Sequence, residues 1–429
     1  MFRDCFAQIK TRCRPPSPFP RQMNIDFSDL YKKESGALCL FSPNGAYVAT
    51  AVQLRLVVRD AQTLQFVGLY DCADAIQHIA WSNDSEYILS ASFKKACVEV
   101  WSIGDPDWTA KIEEGISGLT AVTWAPDARS VMCFAEYKLR IWNLVTKEAS
   151  YIQYPKFFDK GYDFRSDNRY FVLAERRENK DYVGIYDCHD WSIVKQFPTE
   201  TIDMEGLAWS PDGKYIAVRD TPLHYKLLVY AIDGRCLVSY FAYHDNLGIK
   251  SIAWAPSGQF LAVGSFDQKV RLLNHYTWNP TAEFEHSSSL KKGNLESDLT
   301  EIQQTMQRAR LCYHIAEQPY TVPTVRPEGD KSNPKIGVAF CEFNSDGKML
   351  ATRNDNMPNT LWIWDLSVLQ PVGVLAQQQP VLVAKWNPVV PDILALCTGN
   401  GCIYLWNGTM VGAEVVEVPA GRSSGVGWL

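Results

Sequence analysis

The sequence predicts an all-β fold: a single closed ring of about eight small antiparallel sheets, with seven to nine compatible with the pattern. Three observations predict it. A signature of an aromatic residue plus a polar turn recurs at nearly constant spacing. A second signature of alternating apolar residues follows each first one. The composition, finally, is that of a folded chain, with 46% hydrophobic, 12% aromatic and 21% charged residues among 429. No run approaches the roughly 18 uninterrupted apolar residues of a membrane-spanning helix. A net charge of −6 argues against bulk attraction to nucleic acid or anionic lipid, so neither is expected as a partner.

The first signature occurs at Phe41-Ser-Pro-Asn-Gly45, Trp81-Ser-Asn-Asp-Ser85, Trp124-Ala-Pro-Asp-Ala128 and Phe164-Arg-Ser-Asp-Asn168. It returns at Trp209-Ser-Pro-Asp-Gly213, Trp254-Ala-Pro-Ser-Gly258, Phe343-Asn-Ser-Asp-Gly347 and, more loosely, at Trp386-Asn-Pro. From aromatic to aromatic, through to Trp428, the steps are 40, 43, 40, 45, 45, 89, 43 and 42, the 89 being one period plus an insertion. The second signature ends in an aromatic or leucine before a small polar residue. Examples are Val98-Glu-Val-Trp-Ser102, Leu139-Arg-Ile-Trp-Asn143, Leu361-Trp-Ile-Trp-Asp365 and Ile403-Tyr-Leu-Trp-Asn407.

Pro-Asp-Gly and its variants supply the fixed φ, the local side-chain hydrogen bond and the positive-φ position of a tight turn. The flanking runs of Val, Ile, Leu, Tyr and Trp read as short strands. A sheet of one period cannot bury both faces alone, so the units must stack, and stacking about an axis gives a β-propeller. This spacing resembles the WD-repeat family. Only Trp364-Asp365 is a literal Trp-Asp pair, and no Gly-His dipeptide opens any repeat, so the side-chain network of regular repeats lacks its usual histidine signature.

Residues 1–22 carry five basic residues, one acidic residue and four prolines, and are read as an unstructured extension. The propeller is assigned to 23–429, with Ile25 to Lys32 expected to supply an outer strand to the last blade. Gly425 to Leu429 looks like the opening strand of a further unit. An insertion at 279–333 separates the sixth and seventh units. In it Asn294 can cap a helix that places Leu295, Leu299, Ile302 and Met306 along one stripe, buried on the propeller's flank or docked to a partner. Prolines from Pro319 onward return the chain as an extended loop.

The sequence contains no phosphate loop, His-Glu-x-x-His zinc motif, Gly-x-Ser-x-Gly elbow or Cys-x-x-Cys pair, so neither enzymatic activity nor a cofactor, metal or small-molecule substrate is expected. Twelve cysteines, several inside apolar runs (Cys97, Cys188, Cys341, Cys397), read as reduced thiols of a cytosolic protein. Cys397 and Cys402 flank a Gly-Asn-Gly turn and are placed to face each other across a hairpin.

The expected site is therefore a surface. In a propeller the hairpins between second and third strands reach one common face. Here they hold Lys94 and Lys95, Arg176 and Arg177 with Lys180, Arg219 with Asp220, and Arg353 with Asp355 and Asn356. Against a net acidic chain, that rim points to an acidic or phosphorylated protein partner. Ordinary solvated hairpins are the alternative.

Longer runs are more specific than a generic repeat. Ile76-Gln-His-Ile-Ala-Trp-Ser82, Leu173-Ala-Glu-Arg-Arg177 with Lys180-Asp-Tyr-Val183, Leu247-Gly-Ile-Lys-Ser-Ile-Ala-Trp254 and Ala351-Thr-Arg-Asn-Asp-Asn356 resemble the family known as WD-repeat protein eight. That resemblance implies a non-enzymatic component of the microtubule-organising centre, at centrosomes or spindle pole bodies. It also implies two partners, a coiled-coil microtubule-anchoring protein and a minus-end-directed kinesin, with which microtubule minus ends are tethered. The competing reading is a propeller adaptor in translation initiation or another multiprotein complex. A phosphoinositide-binding propeller is disfavoured, because Arg176-Arg177 is flanked by Glu175 and Glu178.

Overall fold

The computed structural model describes residues 38–290, 319–327, 334–408 and 412–417, and the backbone of strands within 3–32 and 300–315. Seven four-stranded antiparallel sheets, each a meander of consecutive strands, and one six-stranded sheet, a four-stranded meander extended at its outer edge by two strands of the insertion, follow one another along the chain. They form eight blades, spanning 39–71, 78–113, 121–153, 162–198, 206–240, 249–285, 338–376 and 383–417.

The repeated turn is built as its residues dictate. The hydroxyl of Ser42 donates to Asn44 Oδ1 at 2.7 Å and accepts the Tyr47 N–H at 2.9 Å. Ser82 and Ser210 repeat this with Asp84 and Asp212 at 2.6 Å. In the first seven turns the last residue lies at positive φ: Gly45 at 69°, Gly213 and Gly258 at 70° and Gly347 at 72°, but also Ser85 at 65°, Ala128 at 56° and Asn168 at 60°. Glycine adopts that conformation without a Cβ penalty, and the three other residues carry one.

The aromatic that opens each turn works between blades. Trp81 Nε1 donates to the Leu40 carbonyl at 3.2 Å, Trp124 Nε1 to Ala80 at 3.1 Å and Trp386 Nε1 to Glu342 at 3.0 Å. Each acceptor immediately precedes the equivalent aromatic of the blade before. Seven apolar clusters join successive blades from the first to the eighth. None of the clusters among the described residues spans the eighth and the first. The eighth blade's second face, with Ile393, Ala395, Cys397, Ile403 and Leu405, is nevertheless buried. Fully burying a leucine or isoleucine contributes roughly 1.5–3 kcal/mol, so the stacking of blades holds the fold.

Four expectations are corrected. The insertion begins after the sixth blade's outer strand, Pro280–Glu285, because Phe284 is buried there and completes that sheet. Ile302 and Met306 lie in a β-strand, Thr300–Gln307, not in a helix; Leu295 and Leu299 fall outside the described residues. Positions four apart share a side in both geometries, so their spacing did not separate the two. The seventh blade's outer strand, Gln370–Ala376, presents an open backbone edge, and Thr300–Gln307 pairs with it in parallel, Thr300 opposite Gly373. Arg310–Ile315 pairs antiparallel with that strand and brings the sheet to six.

The last blade, third, is completed by its own strand Gly412–Glu417, whereas Ile25–Phe27 pairs with Ala7–Ile9 and Tyr31–Lys32 with Arg3–Asp4. Parts of 1–22, expected to be unstructured, are thus paired. Fourth, Cys397 lies opposite Ile403 and Cys402 opposite Glu417, so the two thiols do not face each other. No helix among the described residues is long and apolar enough to cross a membrane.

Candidate functional site: one braced propeller face

Hairpins between second and third strands share a face with the connections between blades, and polar contacts tie the two together. Arg176 is the penultimate residue of the strand Tyr170–Arg177; the turn to Lys180–Asp187 is made by Glu178 and Asn179 at φ 48° and 62°. Its guanidinium reaches Asp203, on the connection to the fifth blade, at 2.5 Å and Asp181 at 3.3 Å. Lys156, on the connection before, places its ammonium 2.9 Å from Asp181 and 2.6 Å from Asp203. The Asp181 side chain is 1% exposed, and burying it is tolerable because two cations and the Met204 N–H, at 2.6 Å, compensate it.

Arg177 is held at 2.9 Å by Glu175, a buried carboxylate that also accepts from the Tyr186 hydroxyl and the Gln196 amide. Desolvation raises the Glu175 pKa, and these donors oppose the shift. The Arg177 guanidinium lies 5.2 Å from the Tyr154 ring centroid.

The braces continue around the face. Asp220 accepts the backbone N–H groups of Ile202, Asp203 and Thr221 and so anchors the connection into the fifth blade. Arg219 donates to the Lys250 carbonyl at 3.0 Å, and burial lowers its pKa. Lys250 lies 2.7 Å from Asp355 and donates to the carbonyls of Ile336 at 2.9 Å and Pro334 at 3.2 Å. Arg353 donates to the Val381 carbonyl on the connection to the eighth blade and lies 3.8 Å from Asp355. Asn356 donates to Gln268 Oε1 at 2.7 Å.

The structure thus gathers Arg176, Arg177, Arg219, Asp220, Arg353, Asp355 and Asn356 into braces within and between blades. Lys94, Lys95 and Lys180 are exposed. Lys95 lies 3.9 Å from Asp74, while Lys94 and Lys180 make no ion pair among the described residues. Lys156, Asp203 and Lys250 were not foreseen. They sit at or just before inner strands, where the repeat fixes no residue type.

One further network was missed. Trp364 Nε1 donates to Thr352 Oγ1 at 2.8 Å, and Thr352 lies 2.8 Å from His286 Nε2. His286 Nδ1 lies 3.0 Å from the Gln268 carbonyl, which assigns the ring proton to Nδ1. Burial pushes the His286 pKa down to about 4. The histidine follows Glu285, not glycine, so no Gly-His dipeptide marks it in the sequence. No group of three or more His, Cys, Asp and Glu among the described residues is placed to hold a metal.

Blades carrying the repeated turn and this Trp-Thr-His network define a WD-repeat propeller. A family model described as WD domain, G-beta repeat matches residues 234–274. WD repeat-containing protein WRAP73 of Mus musculus is 45% identical over 415 residues, covering 92% of this chain and 89% of that protein. An uncharacterized WD repeat-containing protein, C32H8.09 of Schizosaccharomyces pombe, is 23% identical over 398 residues, covering 87% and 79%. The crystal structure of the C-terminal WD40 domain of Sif2 superposes with a TM-score of 0.51 at 12% identity, covering 87% of this chain and 93% of that one, a likeness of fold. The chain belongs to the WD-repeat protein family.

Proposed function

We propose that this propeller is a non-enzymatic scaffold of the microtubule-organising centre, acting in the cytoplasm and cytoskeleton at the centrosome or spindle pole body. It holds a coiled-coil microtubule-anchoring protein and a minus-end-directed kinesin together, so that microtubule minus ends are tethered and the spindle assembles. The family-specific runs quoted above support the cellular setting.

The observation that carries the scaffold reading is the contrast between locked charges and exposed apolar groups on one face. While ion pairs fix the hairpins, Tyr137 is 71% exposed, Tyr154 47%, Phe158 48%, Ile202 64% and Leu223 65%. Tyr137 and Tyr154 are neighbours, the Tyr154 N–H donating to the Tyr137 carbonyl at 3.0 Å. Aromatic groups on a face that also carries the exposed Lys94 and Lys180 provide anchor residues with little ordering cost on binding.

Affinity purification of the tagged full chain from dividing cells tests the reading. Spindle-pole components are expected in the eluate. Ribosomal proteins without them would overturn it in favour of a translation adaptor.

A further inference from the structure

We infer that the cleft between the sixth and seventh blades, walled by the returning limb of the insertion, binds a short extended peptide segment carrying one basic and one acidic side chain. The cleft has a volume of about 460 Å³, within the size range of ligand sites. Its walls are the sixth blade's hairpin at Asp267 and Gln268, the residues after that blade's outer strand, the limb Thr324–Pro327, and the seventh blade's hairpin at Asn356.

The floor is fixed by a relay of amides whose orientation is set from the backbone. The Gly337 N–H donates to Asn354 Oδ1 at 3.1 Å, which turns Asn354 Nδ2 toward Gln268 Oε1 at 3.1 Å. Asn356 Nδ2 donates to the same oxygen at 2.7 Å. Gln268 is held in the left-handed region, at φ 68°, and its carbonyl is engaged by His286. With both donors committed to Gln268, the Asn356 carbonyl oxygen is forced the other way. Asn356 is 9% exposed and lines the cleft, and its Oδ1 has no hydrogen-bond partner among the described residues. A buried acceptor of this kind calls for a donor.

The walls supply the rest. The limb is pinned where the Val322 N–H donates to the Ser288 carbonyl at 2.9 Å and the Val325 N–H to the Asn356 carbonyl at 2.7 Å. Between them the exposed Thr324 makes no backbone hydrogen bond among the described residues, which leaves a donor and an acceptor for an added strand. Glu285 and Arg326 line the cleft, are exposed and make no ion pair among the described residues, whereas Asp267 is tied to Arg271 at 2.6 Å. Among the described residues, an unpaired anion, an unpaired cation, an open backbone pair and an amide acceptor match a polypeptide of mixed charge. A phosphate would meet Glu285 and the Asn356 oxygen unfavourably, and an apolar helix would leave the polar lining unpaired.

The inference rests on the scaffold reading only in taking a polypeptide as ligand, and its test uses purified protein, so either can fail alone. The full chain is titrated with a set of acetylated, amidated five-residue peptides carrying Lys or Arg and Asp or Glu in every order two positions apart. Alanine-replaced peptides and inorganic phosphate are the comparison probes. At least one mixed-charge peptide is expected to bind, to lose tenfold or more in affinity with Glu285→Ala or Arg326→Ala, and to be replaced by its charge-reversed counterpart on the Glu285→Arg/Arg326→Glu protein. Both positions are exposed, so these variants keep the fold. Binding no stronger than that of the alanine peptides, binding indifferent to both substitutions, or Arg326-dependent binding of phosphate alone would overturn it.

Discussion

Lys250 Nζ lies 2.7 Å from Asp355 Oδ2, so a single side chain on the sixth blade's inner strand clasps the seventh blade's hairpin. The same ammonium reaches the carbonyls of Pro334 and Ile336, at the returning end of the insertion.

Removing that ammonium leaves a partly buried carboxylate and two carbonyls short of a donor. Lys250→Met is expected to destabilise the protein by about 2–4 kcal/mol. Adding Asp355→Leu should recover part of the loss, while Lys180→Ala stays within about 0.5 kcal/mol. Urea unfolding of the three variants measures this. A Lys250→Met protein as stable as Lys180→Ala would show that the clasp does not hold the blades.

The tryptophans of the repeated turn provide an internal comparison. Trp124 Nε1 is bonded to the preceding blade, whereas Trp209 Nε1, equally buried, has no partner among the described residues. Replacing either by phenylalanine removes similar volume, so Trp124→Phe should cost about 1 kcal/mol more than Trp209→Phe. Equal unfolding midpoints at equal denaturant dependence would contradict the role given to the indole N–H.

His286 gives the fold a pH dependence. Its folded-state pKa, about 4, lies below the 6.5 of the free side chain, so the unfolded chain takes up the proton first. The stability this neutral ring contributes is complete above about pH 6.5 and falls as pH drops toward 4. Between pH 7.5 and pH 5 the loss should be about 2 kcal/mol. In the His286→Gln variant that part of the pH dependence should vanish, as denaturant titrations at the two pH values will show. A wild-type profile flat across this range would refute it.

The strand in the insertion is testable by register. Thr300 lies opposite Gly373, so Thr300→Cys with Gly373→Cys should form a disulfide under mild oxidation, and Thr300→Cys with Gln378→Cys should not. A helix over 300–307 would give neither.

The blades were legible because turn and strand each leave a local mark. The Ser-x-Asp-Gly pattern encodes its own hydrogen bonds at Ser210 and Asp212, and the aromatics encode the contact with the preceding blade. The braced face was half legible. Arg176 and Arg353 could be placed on one side from the repeat alone, but their partners, Asp203 and the Val381 carbonyl, come from connections in which no pattern repeats. A cation whose counter-ion is remote in sequence reads as free, which is why the rim looked more basic than it is. Ile302 and Met306 show the other limit, since an interval of four residues marks one side of a helix and one side of a strand alike. The edge it would join, Gln370–Ala376, is visible only once the sheet is built.

The central claim is that this propeller works as a protein-gathering platform at the organising centre of the spindle. Imaging the fluorescently tagged full chain in living mitotic cells, beside its Lys94→Glu/Lys180→Glu variant, tests it most directly. The account predicts two foci at the spindle poles, weakened by the variant without loss of folded protein. A signal spread through the cytoplasm at every stage of division would contradict it.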